Sequence, residues 1–285
     1  MMWSGILLGL AVYTLFGLVP AVANTAVSFT DYALYPGAPV NFVGWTNYTS
    51  MFTTERPGFM QALVATVVFV TAVTVAQNVI ALACAHRLVR DTRWNGVLRV
   101  VVFLPIVLGV TIVGLVWILI FEPGQGPAAS LWGVFGAHSS FFGSDSLAMP
   151  LVILVQVWQN VGFSCFVFLG ALNAISQEIY QAADIDGVSR WRRLSRITFP
   201  LLAPAVTVNV LLAVVGSFTV YNLIYVLTGG QHGTMTLGIL SFTAAFTDSN
   251  LGYGAAVGTV LFLLTLLVAL PLMMYLRHRE ARLLT

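Results

Sequence analysis

The chain has 285 residues, of which 59% are hydrophobic and only 8% are charged. A soluble domain carries about 25% charged residues, so this chain has too few charges to build a water-facing surface. The composition therefore excludes an ordinary soluble domain and indicates a protein that is solvated largely by lipid.

Long runs without a charged residue locate the predicted membrane-spanning helices. A bilayer core about 30 Å thick requires about 20 apolar residues in a helix. Suitable runs are Met1–Thr30, Pro57–Ala85, Val100–Phe121, Ser146–Gln177 and Ser249–Leu276. Ile197–Thr247 is also uncharged but too long for one helix, and it breaks at the turn-forming cluster Thr228–Gly233. The sequence predicts a single all-α membrane domain, 1–285, with six transmembrane helices. Met235–Phe246 is about half a span and is placed at the outer interface.

The first predicted helix contains a pattern that also occurs in cleaved leader peptides. Ala21–Ala23 follows an apolar run, as in a signal-peptidase site. No basic residue precedes the run, however, and the apolar region is longer than a leader peptide requires. We therefore expect this helix to be retained.

Arginine placement predicts the orientation of the helices. Eleven of the twelve arginines lie between helices two and three, between four and five, or after helix six, and only Arg56 lies on the other side. The positive-inside rule places the eleven in the cytoplasm. Both termini are then cytoplasmic.

The segment 178–200, between helices four and five, is a charged island between apolar runs. Glu178–Ile185 has helix-forming content with an acidic start, which suits a helix N-terminus. Gly187 can end that helix with a positive φ, and Ser189 can cap a second short helix. We expect a helix–glycine–helix hairpin that exposes Arg190, Trp191 and Arg193, a composition common in protein interfaces. The alternative is that these arginines only set topology.

This segment resembles the E-A-A-x-x-D-G signature of the membrane subunits of bacterial ATP-driven importers. The matching positions are Ala182, Ala183, Asp186, Gly187, Ile197 and Pro200. Two positions depart from the pattern: Gln181 stands where glutamate is usual, and Val188 where alanine is usual. The Gln181 departure removes one charge that could pair with an ATPase.

Shorter similarities to the carbohydrate-importer branch of that family occur in the same order along most of the chain. They are Leu18–Pro20 with Ser28–Asp31, Phe42–Tyr48, Phe103–Pro105 with Trp117, Val157–Gln159 through Leu172, and Leu227–Gly230. The resemblance implies a first, maltose-channel-type ABC transporter permease in the bacterial plasma membrane. It also implies a second homologous permease, two ATPase subunits carrying ATP and Mg²⁺, and an extracellular solute-binding protein as partners. The resemblance implies a coupling role for the signature positions Gln181, Ala182, Ala183, Asp186 and Gly187. Arg190, Trp191 and Arg193 are added to the ATPase-coupling residues because they form the predicted exposed face of the hairpin.

Neutral polar residues within the predicted spans indicate a path for an uncharged solute. On helix four, Gln156, Gln159 and Asn160 share one face at i, i+3 and i+4, with Trp158 on an adjacent face. On helix five the candidates are Asn209, Ser217, Tyr221 and Asn222, with Ser217 and Tyr221 at i and i+4. Amides can hydrogen-bond hydroxyl groups, and aromatic rings can stack on sugar faces.

Each of these residues has an alternative role in holding membrane helices together. For helix four as a set the solute path is favoured, whereas Gln77 and Asn78 on helix two are assigned to packing. Gly109, Gly114, Gly254 and Gly258 are also assigned to close helix packing rather than to the path.

The sequence offers little support for two other classes of function. A stand-alone secondary transporter usually needs ionisable groups for coupling, and the predicted spans contain no Asp, Glu, Lys or Arg. A membrane-embedded enzyme needs a nucleophile with a base or a metal site, and no pair among His86, His138, His232 and His278 has metal-ligand spacing. Cys84 and Cys165 are interpreted as small buried hydrophobes. An importer for a glycerol-phosphodiester is a further alternative to a sugar importer.

Overall fold

A computed structural model describes residues 2–35, 37–134 and 139–284, so His138 lies outside the described residues. Its described residues are mostly helical and contain only two isolated β-bridges. The helices are α1 (Met2–Tyr13), α2 (Val19–Val27), α3 (Thr46–Ser50), α4 (Arg56–Leu88), α5 (Arg93–Val107), α6 (Val110–Ile120), α7 (Pro127–Val134), α8 (Ala148–Ala174), α9 (Gln177–Ile185), α10 (Arg190–Arg193), α11 (Phe199–Leu201), α12 (Ala203–Thr219), α13 (Asn222–Thr228), α14 (Leu237–Phe242) and α15 (Leu251–Leu284). The all-α prediction is confirmed.

Six crossings result when each bent helix pair is counted as one span. Gly9–Val27, α4, α8 and Leu251–Arg282 are each long and apolar enough to cross a bilayer. The other two candidates are α5 with α6, bent by 104°, and Arg190–Leu201 with α12, bent by 67°. This count agrees with the six predicted helices. The apolar segment predicted at the outer interface is a helix as well, α14 continued by a π-helical turn at Thr243–Thr247.

The chain folds as two compact units, each built from two separate stretches of sequence. One comprises Met1–Ala65 and Met235–Leu264, and the other comprises Thr66–Thr234 and Thr265–Thr285. The first unit has a core of Met51, Phe59, Ala62, Leu237, Ala244, Tyr253, Ala256 and Val257. Small residues let its helices approach closely: a Cβ on Gly254 would lie 2.7 Å from the Cβ of Ala245, and one on Gly258 would lie 3.1 Å from Ser241 Oγ. Both glycines therefore serve packing, as predicted.

The core of the second unit lies where the end of α4 meets α8 and the start of α12. It contains Ala81, Ala85, Leu88, Cys165, Phe168, Leu169, Leu172, Leu202 and Ala205. Cys165 is buried there, as predicted, and Cys84 packs against the same cluster. Gln77 Nε2 donates to Ser164 Oγ at 2.8 Å between α4 and α8. That bond agrees with the packing role predicted for Gln77.

Glycines set the closest helix contacts in the second unit. A Cβ on Gly162 would lie 2.3 Å from the carbonyl oxygen of Val102, so α5 and α8 are in backbone contact. A Cβ on Gly114 would lie 2.5 Å from a methyl carbon of Val226, so α6 is equally close to α13. Gly109 differs from its predicted role: its nearest contact would be 3.9 Å away, because it precedes α6 at a break in the helix.

Candidate functional site

The break between α5 and α6 interrupts a membrane span. Pro105 removes one backbone donor near the end of α5, and Leu108 and Gly109 then adopt extended conformations, with ψ of 137° and 138°. A non-helical backbone inside a bilayer must be buried in protein or face water, since each unpaired polar group costs several kcal/mol. Gln159 Nε2 satisfies this requirement by donating to the carbonyl oxygen of Leu108 at 3.3 Å. Gln159 therefore joins α8 to the break.

The neighbouring residues on α8 divide into buried and accessible ones. Gln156 and Gln159 are buried, whereas Asn160 is half-buried and Trp158 is 38% exposed. Asn160 Nδ2 donates to the carbonyl oxygen of Gln156 at 2.9 Å, a bond within the same helix. The ring of Trp158 meets Trp117 edge to face at 5.4 Å. Within this chain, Trp158 and Asn160 are thus the members of the set that a solute could touch.

A second break, at Val220, changes the interpretation of helix five. The sequence suggested that Ser217 and Tyr221 share a helix face, but α12 ends at Thr219 and Val220 is extended. That expectation is wrong, because the i, i+4 relation holds only within a continuous helix. Ser217 is buried, whereas Tyr221 is 41% exposed and Asn222 is also exposed. Of these three candidates, only Tyr221 and Asn222, which follow the break, are accessible.

Asn209 lies deeper in the second unit. It is 1% exposed, and its Nδ2 donates to the carbonyl oxygen of Ser164 at 3.1 Å. Its contact therefore links α12 to α8, while Gln77 reaches the hydroxyl of the same serine from α4. Ser164, which was not predicted from the sequence, therefore accepts hydrogen bonds from side chains of α4 and α12 and links three helices.

The hairpin between α8 and α12 forms from local capping chemistry. Ser176 Oγ accepts a hydrogen bond from the backbone N–H of Glu178 at 3.2 Å and so caps α9. At the other end, Gly187 has φ of 66°, and the backbone N–H of Val188 donates to the carbonyl oxygen of Ala183 at 3.0 Å. The N–H of Gly187 donates to the carbonyl of Asp184, which completes a Schellman motif. The predicted role of Gly187 is seen directly in this geometry.

The second half of the hairpin is α10, capped as expected by Ser189. Its Oγ accepts from the backbone N–H of Arg192 at 3.5 Å. Trp191 is 75% exposed and Ile185, near the end of α9, is 86% exposed. Two large apolar side chains thus project from a charged hairpin, which is unusual for a loop that only fixes topology and is typical of a surface that binds protein.

An ion pair joins the two halves of the hairpin. Arg193 Nη1 donates to Asp184 Oδ1 at 2.7 Å, and its guanidinium lies 5.6 Å from the ring centroid of Tyr180. The hydroxyl of Tyr180 lies 3.3 Å from Thr198 Oγ1, at the start of the return to α12. Arg193 therefore contacts its own hairpin and is only partly exposed. Neither Tyr180 nor Asp184 was predicted from the sequence, because their partners lie beyond the Gly187 turn.

The other hairpin residues assigned to coupling lie mostly on the surface. Gln181, Ala182, Asp186, Gly187 and Arg190 are exposed, whereas Ala183 is buried at 4% exposure. Ala183 instead provides the carbonyl that closes the glycine turn. The exposed residues and Trp191 lie on one short segment that joins two spanning helices.

These features define a class of protein. A helical membrane domain with broken helices and a charged hairpin that exposes apolar side chains is typical of a transporter component.

The comparisons with known proteins specify this class. Residues 77–282 match the family described as binding-protein-dependent transport system inner membrane component. Over 273 residues the chain is 31% identical to YurN, a probable ABC transporter permease of Bacillus subtilis (strain 168), covering 93% of this chain and 92% of the relative. It is 28% identical to the sulfoquinovosyl glycerol transport system permease SmoG of Agrobacterium fabrum, covering 92% and 85%. It is also 29% identical to the multiple sugar-binding transport system permease MsmF of Streptococcus mutans, covering 92% and 90%.

A solved structure shows the same fold. A bacterial ABC transporter involved in the import of the acidic polysaccharide alginate contains a chain that superposes with a TM-score of 0.82 at 18% identity, covering 99% of this chain and 95% of that one. The chain belongs to the family of binding-protein-dependent transport system inner membrane components. It is a multi-pass permease of an ABC importer in the bacterial plasma membrane, and its role is transport rather than catalysis.

Proposed function

We propose that this chain forms half of the translocation pathway for a sugar or a related small polar solute, and that a second homologous permease forms the other half. Relatives with named solutes support the class, since one serves sulfoquinovosyl glycerol and another belongs to a multiple sugar-binding system. The neutral polar groups at the helix breaks also suit an uncharged solute. A glycerol-phosphodiester is the alternative solute.

The residues proposed to touch the solute are those that remain accessible near the breaks. Trp158 offers an aromatic face and Asn160 an amide on α8, while Tyr221 and Asn222 offer a phenol and an amide at the break after α12. Gln156, Gln159, Asn209 and Ser217 are buried and are proposed to support these positions. Broken helices near the bilayer midplane are where transporters commonly place solute sites.

The energy source is proposed to lie outside this chain. The sequence has no G-x-x-x-x-G-K-[ST] phosphate-binding loop, so ATP and Mg²⁺ would be bound by two partner ATPase subunits. An extracellular solute-binding protein would deliver the solute, in keeping with the family description. Both termini and the hairpin would face the cytoplasm, because eleven arginines lie on that side.

The hairpin is proposed to transmit ATPase closure to the membrane helices. Its exposed face contains Ile185, Asp186 and Trp191, and its two halves are joined by the Gly187 turn and by the Arg193–Asp184 pair. A rigid hairpin moves as a body. Displacing it therefore moves the ends of α8 and α12, which lead to the accessible residues at the breaks.

The positive φ of Gly187 is the observation on which the coupling proposal chiefly rests. It allows a test with two variants, one that can adopt a positive φ and one that cannot. Proline requires φ near −65°, so Gly187→Pro should unfold the turn, whereas Gly187→Asn should retain it because asparagine tolerates the left-handed region. We expect Gly187→Pro and Asp186→Arg to abolish ATP-driven uptake in proteoliposomes of the whole transporter while the chain still reaches the membrane. Gly187→Asn should keep most uptake. Normal uptake by Gly187→Pro and Asp186→Arg would refute the role of the hairpin.

A further inference from the structure

A strongly basic cavity opens beside the coupling hairpin. It has a volume of about 690 Å³ and lies entirely within the second compact unit. Its polar lining consists of the following residues: His86, Arg87, Arg90, Tyr180, Arg190, Arg193 and Thr198. The described lining contains no acidic residue, so the cavity concentrates positive charge.

Most of this charge has no partner in the described part of the chain. Arg193 is neutralised by Asp184, but the side chains of Arg87, Arg90 and Arg190 form no ion pair or hydrogen bond among the described residues. The nearby Asp91 pairs instead with Arg99, at 3.6 Å, and does not line the cavity. Three arginines that converge on one cavity repel one another unless an anion lies between them. The cavity therefore favours a ligand with concentrated negative charge.

The position and the walls of the cavity indicate which anion. Ala83 lies in the last turns of α4 and Leu172 in the last turn of α8, so the cavity opens at the ends of two membrane-spanning helices. Val89 and Leu194 are the other apolar lining residues. Along α4 the lining changes from Ala83 inside the helix to Arg87 and Arg90 at and beyond its end. A soluble phosphate would gain no binding energy from the apolar part of the lining, whereas a phospholipid has both a phosphate group and apolar chains.

We propose that this cavity binds the phosphate headgroup of an anionic phospholipid from the cytoplasmic leaflet. The proposal rests on the orientation given under the proposed function. Basic pockets between membrane helices on the cytoplasmic side bind anionic headgroups, and an arginine that contacts the headgroup in such a pocket strengthens binding about fivefold. Arg87 and Arg90 hold the headgroup from the end of α4, and Arg190 holds it from the hairpin. A bound lipid therefore connects the membrane helices to the hairpin by a contact that the protein alone does not make.

The test measures lipid retention by native mass spectrometry. The full chain is purified with its partner subunits from nanodiscs of phosphatidylcholine that contain a minor fraction of phosphatidylglycerol. Arg87→Gln with Arg90→Gln is compared with Arg93→Gln with Arg192→Gln. Both double variants lose the same charge, but Arg93 and Arg192 are exposed and do not line the cavity.

We expect the cavity variant to retain phosphatidylglycerol roughly 25-fold more weakly than wild type, and the control variant to retain it like wild type. Equal loss in both variants, or no loss in either, would overturn the proposal. Displacement of the lipid from wild type by inorganic phosphate alone would also overturn it and would assign the cavity to a soluble anion. Retention requires neither solute nor ATP, so this result is independent of whether the hairpin couples transport.

Discussion

Replacing Gly162 tests the closest helix contact in the second unit. A Cβ at this position would lie 2.3 Å from the carbonyl oxygen of Val102 and 2.9 Å from the Cα of Phe103. Both atoms belong to the backbone of α5, so no side-chain rotation can relieve the overlap. Overpacking of this kind costs about 1–3 kcal/mol, and here it also separates α5 from α8. Gly162→Ala also gains about 1 kcal/mol of helix propensity, so a control that gains the same propensity without a clash is needed.

Gly170→Ala on the same helix is the matched control. A Cβ there would meet nothing within 4 Å, so the variant should gain helix propensity without a clash. Because both variants gain the same helix propensity, we expect them to differ by the cost of the clash, about 1–3 kcal/mol, seen as a lower apparent melting temperature of Gly162→Ala in detergent by tryptophan fluorescence. If both variants melt at the same temperature, α5 and α8 are not in backbone contact and the reasoning fails.

Three further predictions concern polar contacts. In a double-mutant cycle of Gln77→Leu and Ser164→Ala, the coupling free energy of unfolding should be about 0.6–1.7 kcal/mol, because their 2.8 Å bond lies inside the membrane domain; a value of zero would contradict that bond. Asp184→Asn should change stability by at most about 1 kcal/mol, since the Asp184 side chain is 65% exposed, and a much larger change in chemical denaturation would show that the pair is not a surface one. The side-chain and backbone amides of Asn41 donate hydrogen bonds to Asp31 and lower the pKa of its carboxyl group below 3.8. The stabilisation that these bonds give the outer loop is therefore fully present above pH 3.8, and it is lost as the pH falls through the lowered pKa of the folded protein. Hydrogen exchange of that loop, corrected for intrinsic rates, should show this loss in wild type and a flat profile in Asp31→Asn; identical profiles would refute it.

The positions of the membrane spans were predictable because each apolar run must become a helix regardless of its neighbours. The hairpin was predictable for a related reason. Ser189 and Gly187 act on residues within a few positions of themselves, so local sequence contains the whole signal. Exposure of Trp191 followed from the same local pattern.

The helix breaks were not predictable in the same way. Leu108 can leave the helix because Gln159, 51 residues away, donates to its carbonyl, and no local pattern reports that bond. Pro105 was the only local signal. Val220 has no such signal, so Tyr221 was assigned to a face that ends before it. The pairing of Arg193 with Asp184 likewise depends on the geometry of the turn between them.

Photo-crosslinking from the tip of the hairpin tests the central claim most directly. A photoreactive amino acid at Ile185, which is 86% exposed, should form an adduct with an ATPase subunit in membranes of cells that contain the whole transporter. The same amino acid at Phe42, which is 80% exposed in the predicted outer loop, should form no such adduct. Absence of an ATPase adduct at Ile185, or labelling of that position by a membrane-impermeant reagent from outside the cell, would contradict the account.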